Sequence, residues 1–213
     1  MRRHKFRLLA CLILILPLTG SLPAQEGASK GEWHYYGGDA GNTKYSALDQ
    51  INAANVKELQ IAWRWKSENF GPRPDYLWEV TPLMVDGVLY FTAGSRRDVV
   101  AADAATGETL WMYRLDEGER GDRAVRTQNR GLAYWTDGRE DRRLLLITPG
   151  YQLVALDAGT GRPIPTFGQD GLVELTEGLD REIVKPGEIG ASSPAIVIRD
   201  VVIMGAALQP GTA

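Results

Sequence analysis

One segment of this chain occurs twice. Asp103, Thr106 and Gly107, within the run from Ala101 to Trp111, return as Asp157, Thr160 and Gly161, each 54 residues further on. The segment reads as a strand, a tight turn and a second strand ending in a large aromatic. In the turn, the Asp and Thr side chains can bond neighbouring backbone amides, and the glycine can take the positive φ that such a bend often needs. A further echo supports the repeat: Pro82 to Phe91 and Pro194 to Ile203 each read as strand, polar turn and strand. A repeat of this size built from short strands points to a β-propeller, where one repeat is one blade that cannot bury its faces without neighbours. Two copies of a turn motif could also arise in a β-sandwich; the partial third copy favours the propeller. A closed ring needs roughly four to eight four-stranded blades, and 213 residues leave room for about three. The chain therefore reads as all-β, and as the front part of a longer propeller protein.

Composition removes several function classes. At 44% hydrophobic and 24% charged residues, the chain is neither disordered nor collagen-like. Arg2, Arg3, Lys5 and Arg7 precede the apolar run Leu8 to Leu18, and the small-residue region ends near Ala24. That order is a secretory signal peptide over residues 1–24, too short for a comfortable transmembrane span, with an uncleaved anchor as the alternative. Residues 25–213 are then the propeller part. Cys11, the single cysteine, and His4 both fall in the leader, which leaves His34 as the other histidine. Structural disulfides, Cys-ligated zinc, a thiol nucleophile and a multi-histidine site or triad are excluded within 25–213. The net charge of −3 includes the leader's four basic residues, and removing them leaves −7, so no nucleic-acid partner is expected.

Between these landmarks the reading is local. Trp33 to Ser46 mixes aromatics with glycines and reads as an ordered loop. Asn52 to Leu59 reads as a short helix capped by Asn52, with Val56 and Leu59 on one face. Ile61 to Trp65 alternates like a half-buried strand, of the kind that in a propeller completes the last blade, so its partners are expected to be missing from these 213 residues; Phe70 to Trp78 is a proline- and aromatic-rich loop. Most of Asp116 to Arg130, dense in alternating charge, reads as solvated loop. Leu144 to Thr148 is a continuous buried-type strand. Arg162 to Gly190 is an excursion whose acidic residues show no metal-ligand spacing.

Taken together, these segments resemble the quinoprotein dehydrogenases, enzymes that use pyrroloquinoline quinone (PQQ). The resemblance is carried by Trp33, Tyr36-Gly-Gly-Asp39, Tyr45-Ser46, Leu48-Asp-Gln-Ile51-Asn52, Asn55-Val56, Leu59 and Ala62-Trp63, and it continues over essentially all the chain after the leader. Phe167 to Leu175 and Ser192-Ser193-Pro194 are most like the membrane-bound glucose dehydrogenase branch. The resemblance implies an eight-bladed propeller with PQQ on its axis, held by calcium or a related cation. It also implies the chemistry: a base takes the substrate's hydroxyl proton while hydride passes to a polarised quinone carbonyl carbon. The substrate would be a glucose-like sugar or an alcohol. The acceptor would be a respiratory quinone or cytochrome c, and the location periplasmic, with membrane association left open.

Carried over residue by residue, the resemblance places Glu79, just before Thr81-Pro82, against the cofactor. Arg130, in Asn129-Arg130-Gly131-Leu-Ala-Tyr-Trp135, would lie by the quinone oxygens, where a permanently charged group with several donors suits developing negative charge. Thr148 matches a threonine that bonds a cofactor carboxylate, and either Ser192 or Ser193 falls near another contact. Their plainer readings are a surface carboxylate, a salt-bridged loop arginine and strand or loop hydroxyls. The chain departs from the family at three places. Arg123-Ala-Val-Arg-Thr-Gln128 stands where methanol-type members carry adjacent cysteines, which disfavours the alcohol-type disulfide branch. Pro165 replaces the aromatic that ends the first repeat, as an inserted segment would allow. Gly205 to Pro210 lacks the glutamate those members place on calcium, so no metal ligand is assigned. The catalytic base is expected downstream of Ala213, so the 213 residues alone are not expected to turn over substrate. A competing reading is a non-catalytic propeller of the same repeat type serving as an envelope assembly scaffold, and a third is an inactive broken gene product.

Overall fold

The computed structural model describes residues 27–67, 75–183, 185 and 187–208. The leader expected over 1–24 and the beginning of the Phe70 to Trp78 loop lie outside the described residues. Strands β1 (Leu83–Val85), β2 (Val88–Ala93), β3 (Asp98–Asp103) and β4 (Thr109–Tyr113) form one antiparallel sheet in chain order. After a single helical turn, α1 (Glu119–Asp122), β5 (Ala133–Thr136), β6 (Arg142–Ile147), β7 (Gln152–Asp157) and β8 (Leu172–Glu174) repeat the arrangement. The remaining strands are β9 (Ile189–Gly190), β10 (Ile196–Ile198), β11 (Val201–Ile203) and β12 (Ala207–Leu208); β10 pairs with β11 and β9 with β12. The described residues thus hold two complete four-stranded blades and the first hairpin of a third, as the repeat predicts.

The strands read as continuous apolar runs because both faces of a blade are covered. Successive side chains point to opposite faces. Val99 and Ala101 therefore join Leu144, Leu146, Val154 and Leu156 in the core between the first two blades. Leu145, Ile147, Leu153 and Ala155 face the other way, onto Ile189, Ala191, Ala195 and Val197 of the third unit. Fully burying one such leucine is worth about 1.5–3 kcal/mol, so each interface rests on several residues of this kind.

The repeated turns behave as their chemistry requires. The Asp103 carboxylate accepts from the Thr106 amide at 2.8 Å and its hydroxyl at 2.9 Å, and Asp157 does the same with Thr160 at 2.8 and 2.6 Å. Gly107 and Gly161 have φ of +74° and +70°. Over each glycine lies an indole from the preceding unit. A Cβ on Gly107 would stand 2.6 Å from the Trp63 ring, and one on Gly161 2.4 Å from that of Trp111. Trp63 Nε1 donates to Ala104 O at 3.1 Å, and Trp111 Nε1 to Ala158 O at 3.2 Å.

The second blade carries an insertion. Leu153, 54 residues after Val99, faces Val173, which lies 60 residues after Tyr113. Six extra residues therefore loop out between the bridge at Pro163 and β8, and Pro165 sits in this excursion instead of an aromatic.

One local expectation is corrected. Asn52 to Leu59 is no α-helix: only Val56–Glu58 form a 3-10 turn. The Asn55 side chain accepts from the Asn52 amide and Asn52 from the Ala54 amide, both at 2.9 Å, closing the backbone on itself before a second turn can form. Val56 and Leu59 are both exposed and give a helix nothing to pack against. Ile61 to Trp65 pairs with no strand among the described residues, where the sequence reading also places no partner for it. Its tryptophans dock instead, Trp63 on the Gly107 turn and Trp65 edge-on against Phe91 at 4.8 Å.

Candidate functional site

In an up-and-down sheet, the segment entering the first strand, the turn after the second and the exit from the fourth share one end. Glu79, the β2–β3 turn, the β4–β5 connection, the β6–β7 turn and the segment entering β10 therefore gather on one face. The Asp-x-x-Thr-Gly turns lie on the other. Every site residue expected from the sequence falls on the first face.

Glu79 and Arg130 meet. Leu77 to Thr81 runs beside Asn129 to Gly131, with Asn129 N donating to Leu77 O at 2.8 Å, Glu79 N to Asn129 O at 2.9 Å and Thr81 N to Arg130 O at 3.3 Å. Gly131 permits the approach: its φ is +111°, and a Cβ would stand 3.1 Å from Thr81 O. Arg130 Nη2 then lies 3.1 Å from Glu79 Oε2, with the two side chains 30% and 52% exposed. A half-open ion pair of this kind contributes little to stability, but it holds a fixed fork of donors at the surface. Beside it, Asn129 is buried; its Oδ1 accepts from Thr92 Oγ1 at 2.7 Å, while its Nδ2 is an unpartnered buried donor. Asn129 also lines a polar cavity of about 60 Å³ with Asp75, Arg97 and Thr127. That is room for water, not for a ring-sized cofactor.

Thr148 is committed elsewhere. It follows β6 and is buried, and its hydroxyl donates to Glu117 Oε1 at 2.6 Å while accepting from the Gln152 amide at 2.9 Å. Glu117 also accepts from the Gly150 amide at 3.0 Å. In this arrangement the threonine proton is already given to a carboxylate. The structure separates the two serines that the sequence left open. Ser192 is half-buried and directly follows Ala191, whose carbonyl accepts from Arg97. Ser193 is exposed and lines a different cavity, with Tyr35, Tyr134 and Pro194.

The charged segment from Asp116 to Arg130 is less solvated than its composition suggests. Arg120 forks onto Glu174 at 2.5 and 2.7 Å and donates to Gly150 O at 2.6 Å. The Arg120 guanidinium holds the Glu174 carboxyl down at about 2. Thr127 Oγ1 donates to Ala191 O at 2.8 Å. Arg97 is buried and donates to Ile147 O at 3.0 Å, Thr127 Oγ1 at 2.9 Å, Gln128 O at 3.3 Å and Ala191 O at 2.7 Å. Sequence reasoning singled out neither Arg97 nor Glu117. Among the described residues, no group of three or more His, Cys, Asp or Glu side chains could hold a metal ion.

The profile of a family described as glucose/ethanol/alcohol dehydrogenase, PQQ β-propeller domain, matches residues 33–213. The large subunit of glycerol dehydrogenase from Gluconobacter thailandicus is 32% identical over 186 residues, covering 83% of this chain and 24% of its own. Quinate/shikimate dehydrogenase (quinone) from Acinetobacter baylyi is 30% identical over 211 residues, covering 88% of this chain and 25% of its own. The crystal structure of quinohemoprotein alcohol dehydrogenase from Comamonas testosteroni superposes with a TM-score of 0.64 at 30% identity, over 86% of this chain and 24% of that one. The chain spans about a quarter of the length of these relatives.

Proposed function

This chain belongs to the family of PQQ-dependent glucose, ethanol and alcohol dehydrogenase β-propellers, and on that premise we propose that it supplies part of the cofactor face of a quinoprotein dehydrogenase. The substrate would be a small hydroxylated molecule, an alcohol or a glucose-like sugar. The observation that carries the reading is the Glu79–Arg130 pair, held on the loop face by the close approach at Gly131.

The residues present suit PQQ. It is a quinone that also bears carboxylates, and when bound it supplies the hydride acceptor. Arg130 offers several charged donors to negatively charged oxygens, without reorganising because Glu79 already fixes its fork. Thr148 is the weaker contact, because its proton is engaged by Glu117. Ser192 is better placed than Ser193, since it adjoins the segments that lead to Arg130. Among the described residues no group of three or more His, Cys, Asp or Glu side chains gathers, so none of them is named as a ligand of the proposed calcium or related ion. The proposal extends to secretion into the periplasm, supported by the basic-then-apolar order of residues 1–24, and to electron delivery to a respiratory quinone or cytochrome c.

The test is a PQQ titration of the native-length apoprotein, followed by assays over alcohols and sugars. Losing a hydrogen bond to a charged group costs about 1.5–3 kcal/mol, so Arg130→Ala should weaken PQQ binding roughly 10- to 150-fold. Unchanged affinity would remove Arg130 from the cofactor site. A wild-type protein that binds no PQQ would leave the scaffold reading standing.

A further inference from the structure

We propose that Arg97 is a positioning residue for the cofactor face, locking the three loops that carry Arg130, Thr148 and Ser192 into one body. The inference rests on the PQQ reading for its cofactor arm alone.

The four acceptors of Arg97 come from three separate places. Ile147 O directly precedes Thr148, Thr127 Oγ1 and Gln128 O lie just before Arg130, and Ala191 O directly precedes Ser192. One side chain on the β2–β3 turn of the first blade therefore ties the second blade and the entry to the third. Thr127 adds a parallel link, donating to the same Ala191 carbonyl at 2.8 Å. All four acceptors are uncharged oxygens. Nη1 reaches Ile147 O, and the two N–H groups of Nη2 are shared among the other three oxygens, a spread over two nitrogens fixed in one plane that a lysine's single ammonium nitrogen does not offer.

The backbone is arranged to deliver this side chain. Arg97 has φ of +56°, a region disfavoured for residues with a Cβ, and Tyr151, 54 residues on at the same turn of the next blade, has φ of +65°. The turn shape is thus a property of the repeat, whereas the arginine is particular to the first blade. Burial lowers the guanidinium to about 10, with Asp75 and Glu117 opposing that shift, so it stays charged at neutral pH.

The experiment compares wild type, Arg97→Gln, Arg97→Lys and, as a core control, Val154→Ala, all in the native-length apoprotein. Hydrogen exchange is followed at residues 127–130, 148–152 and 190–193 without cofactor, and PQQ dissociation constants are then measured. Both Arg97 variants should raise exchange at least tenfold in all three segments together and weaken PQQ at least tenfold. Val154→Ala, which loosens the core, should leave PQQ affinity within threefold. Should Arg97→Gln not fold, Arg97→Lys, which keeps the charge but not the fork, decides the matter alone. Exchange that rises only in the turn at 94–97, or evenly across both blades, overturns the proposal. So does loosening of all three segments with PQQ affinity unchanged. If wild type binds no PQQ, the proposed function fails, and the exchange pattern still decides whether Arg97 joins the loops.

Discussion

Replacing Gly161 with alanine would put a methyl group where the Trp111 indole lies. The new Cβ would stand 2.4 Å from Cε3 and 2.7 Å from Cδ2 of that ring, at a residue whose φ is +70°. Holding alanine in the left-handed region costs roughly 1–2 kcal/mol. Pushing the indole outward breaks its hydrogen bond to Ala158 O, worth about 1 kcal/mol. It also disturbs the ring contact with Tyr90 at 5.9 Å, worth about 0.5–1.5 kcal/mol. The expected loss is thus about 2.5–4.5 kcal/mol, obtained by combining these contributions. In a Trp111→Ala background the ring is absent, and only the left-handed cost of about 1–2 kcal/mol should remain. Urea unfolding of the four proteins forms a double-mutant cycle with an expected coupling of about 2 kcal/mol. A coupling within about 0.5 kcal/mol of zero would show that the ring and the glycine act independently, and the reasoning about the stacked turn would be wrong.

Two other residues give shorter tests, beside those on Arg130 and Arg97. Because Arg120 holds Glu174 at about 2 against an ordinary 4.5, its contribution is fully present above pH 4.5 and lost as pH falls toward 2. The stability gap between wild type and Glu174→Gln, measured in urea, should therefore shrink from pH 5 to pH 3; a constant gap would refute the assignment. Thr148→Val keeps the shape but takes a donor from Glu117 and an acceptor from the Gln152 amide, which should cost about 1–3 kcal/mol. If PQQ affinity holds while stability falls, Thr148 is a structural residue rather than a cofactor contact.

The parts of this molecule legible in its sequence are those decided by neighbours along the chain. Asp103, Thr106 and Gly107 make their bonds within a few residues, so the turn, and with it the blade repeat, can be read directly. The interruption at Pro165 was equally visible, because a proline where an aromatic is expected marks a broken pattern. Asn52 to Leu59 misled because its apolar spacing suits a helix while two asparagine side chains bind the backbone first. Ile61 to Trp65 has the alternation of a strand, and its lack of a partner follows from the propeller reading, which assigns such a segment to the last blade. Glu79 and Arg130 could be named only through resemblance, since the 3.1 Å contact joins residues far apart in the chain. Arg97 gave no signal at all. Ser95-Arg96-Arg97 looks like any surface turn, and its partners lie 30 to 94 residues away.

The indole-on-glycine contact bears on how such a protein could have arisen. Trp63 reaches forward to the first blade's turn and Trp111 to the second's, so in both cases the contact runs from one segment to the blade that follows it. The segment encoding the first blade carries both halves of this joint, the Trp111 ring at its end and the Gly107 turn within. Tandem duplication would therefore yield a compatible neighbour at once, without a matching mutation elsewhere. A head-to-tail joint of this kind has no built-in stopping point, and a growing array satisfies its last member only by returning to its first.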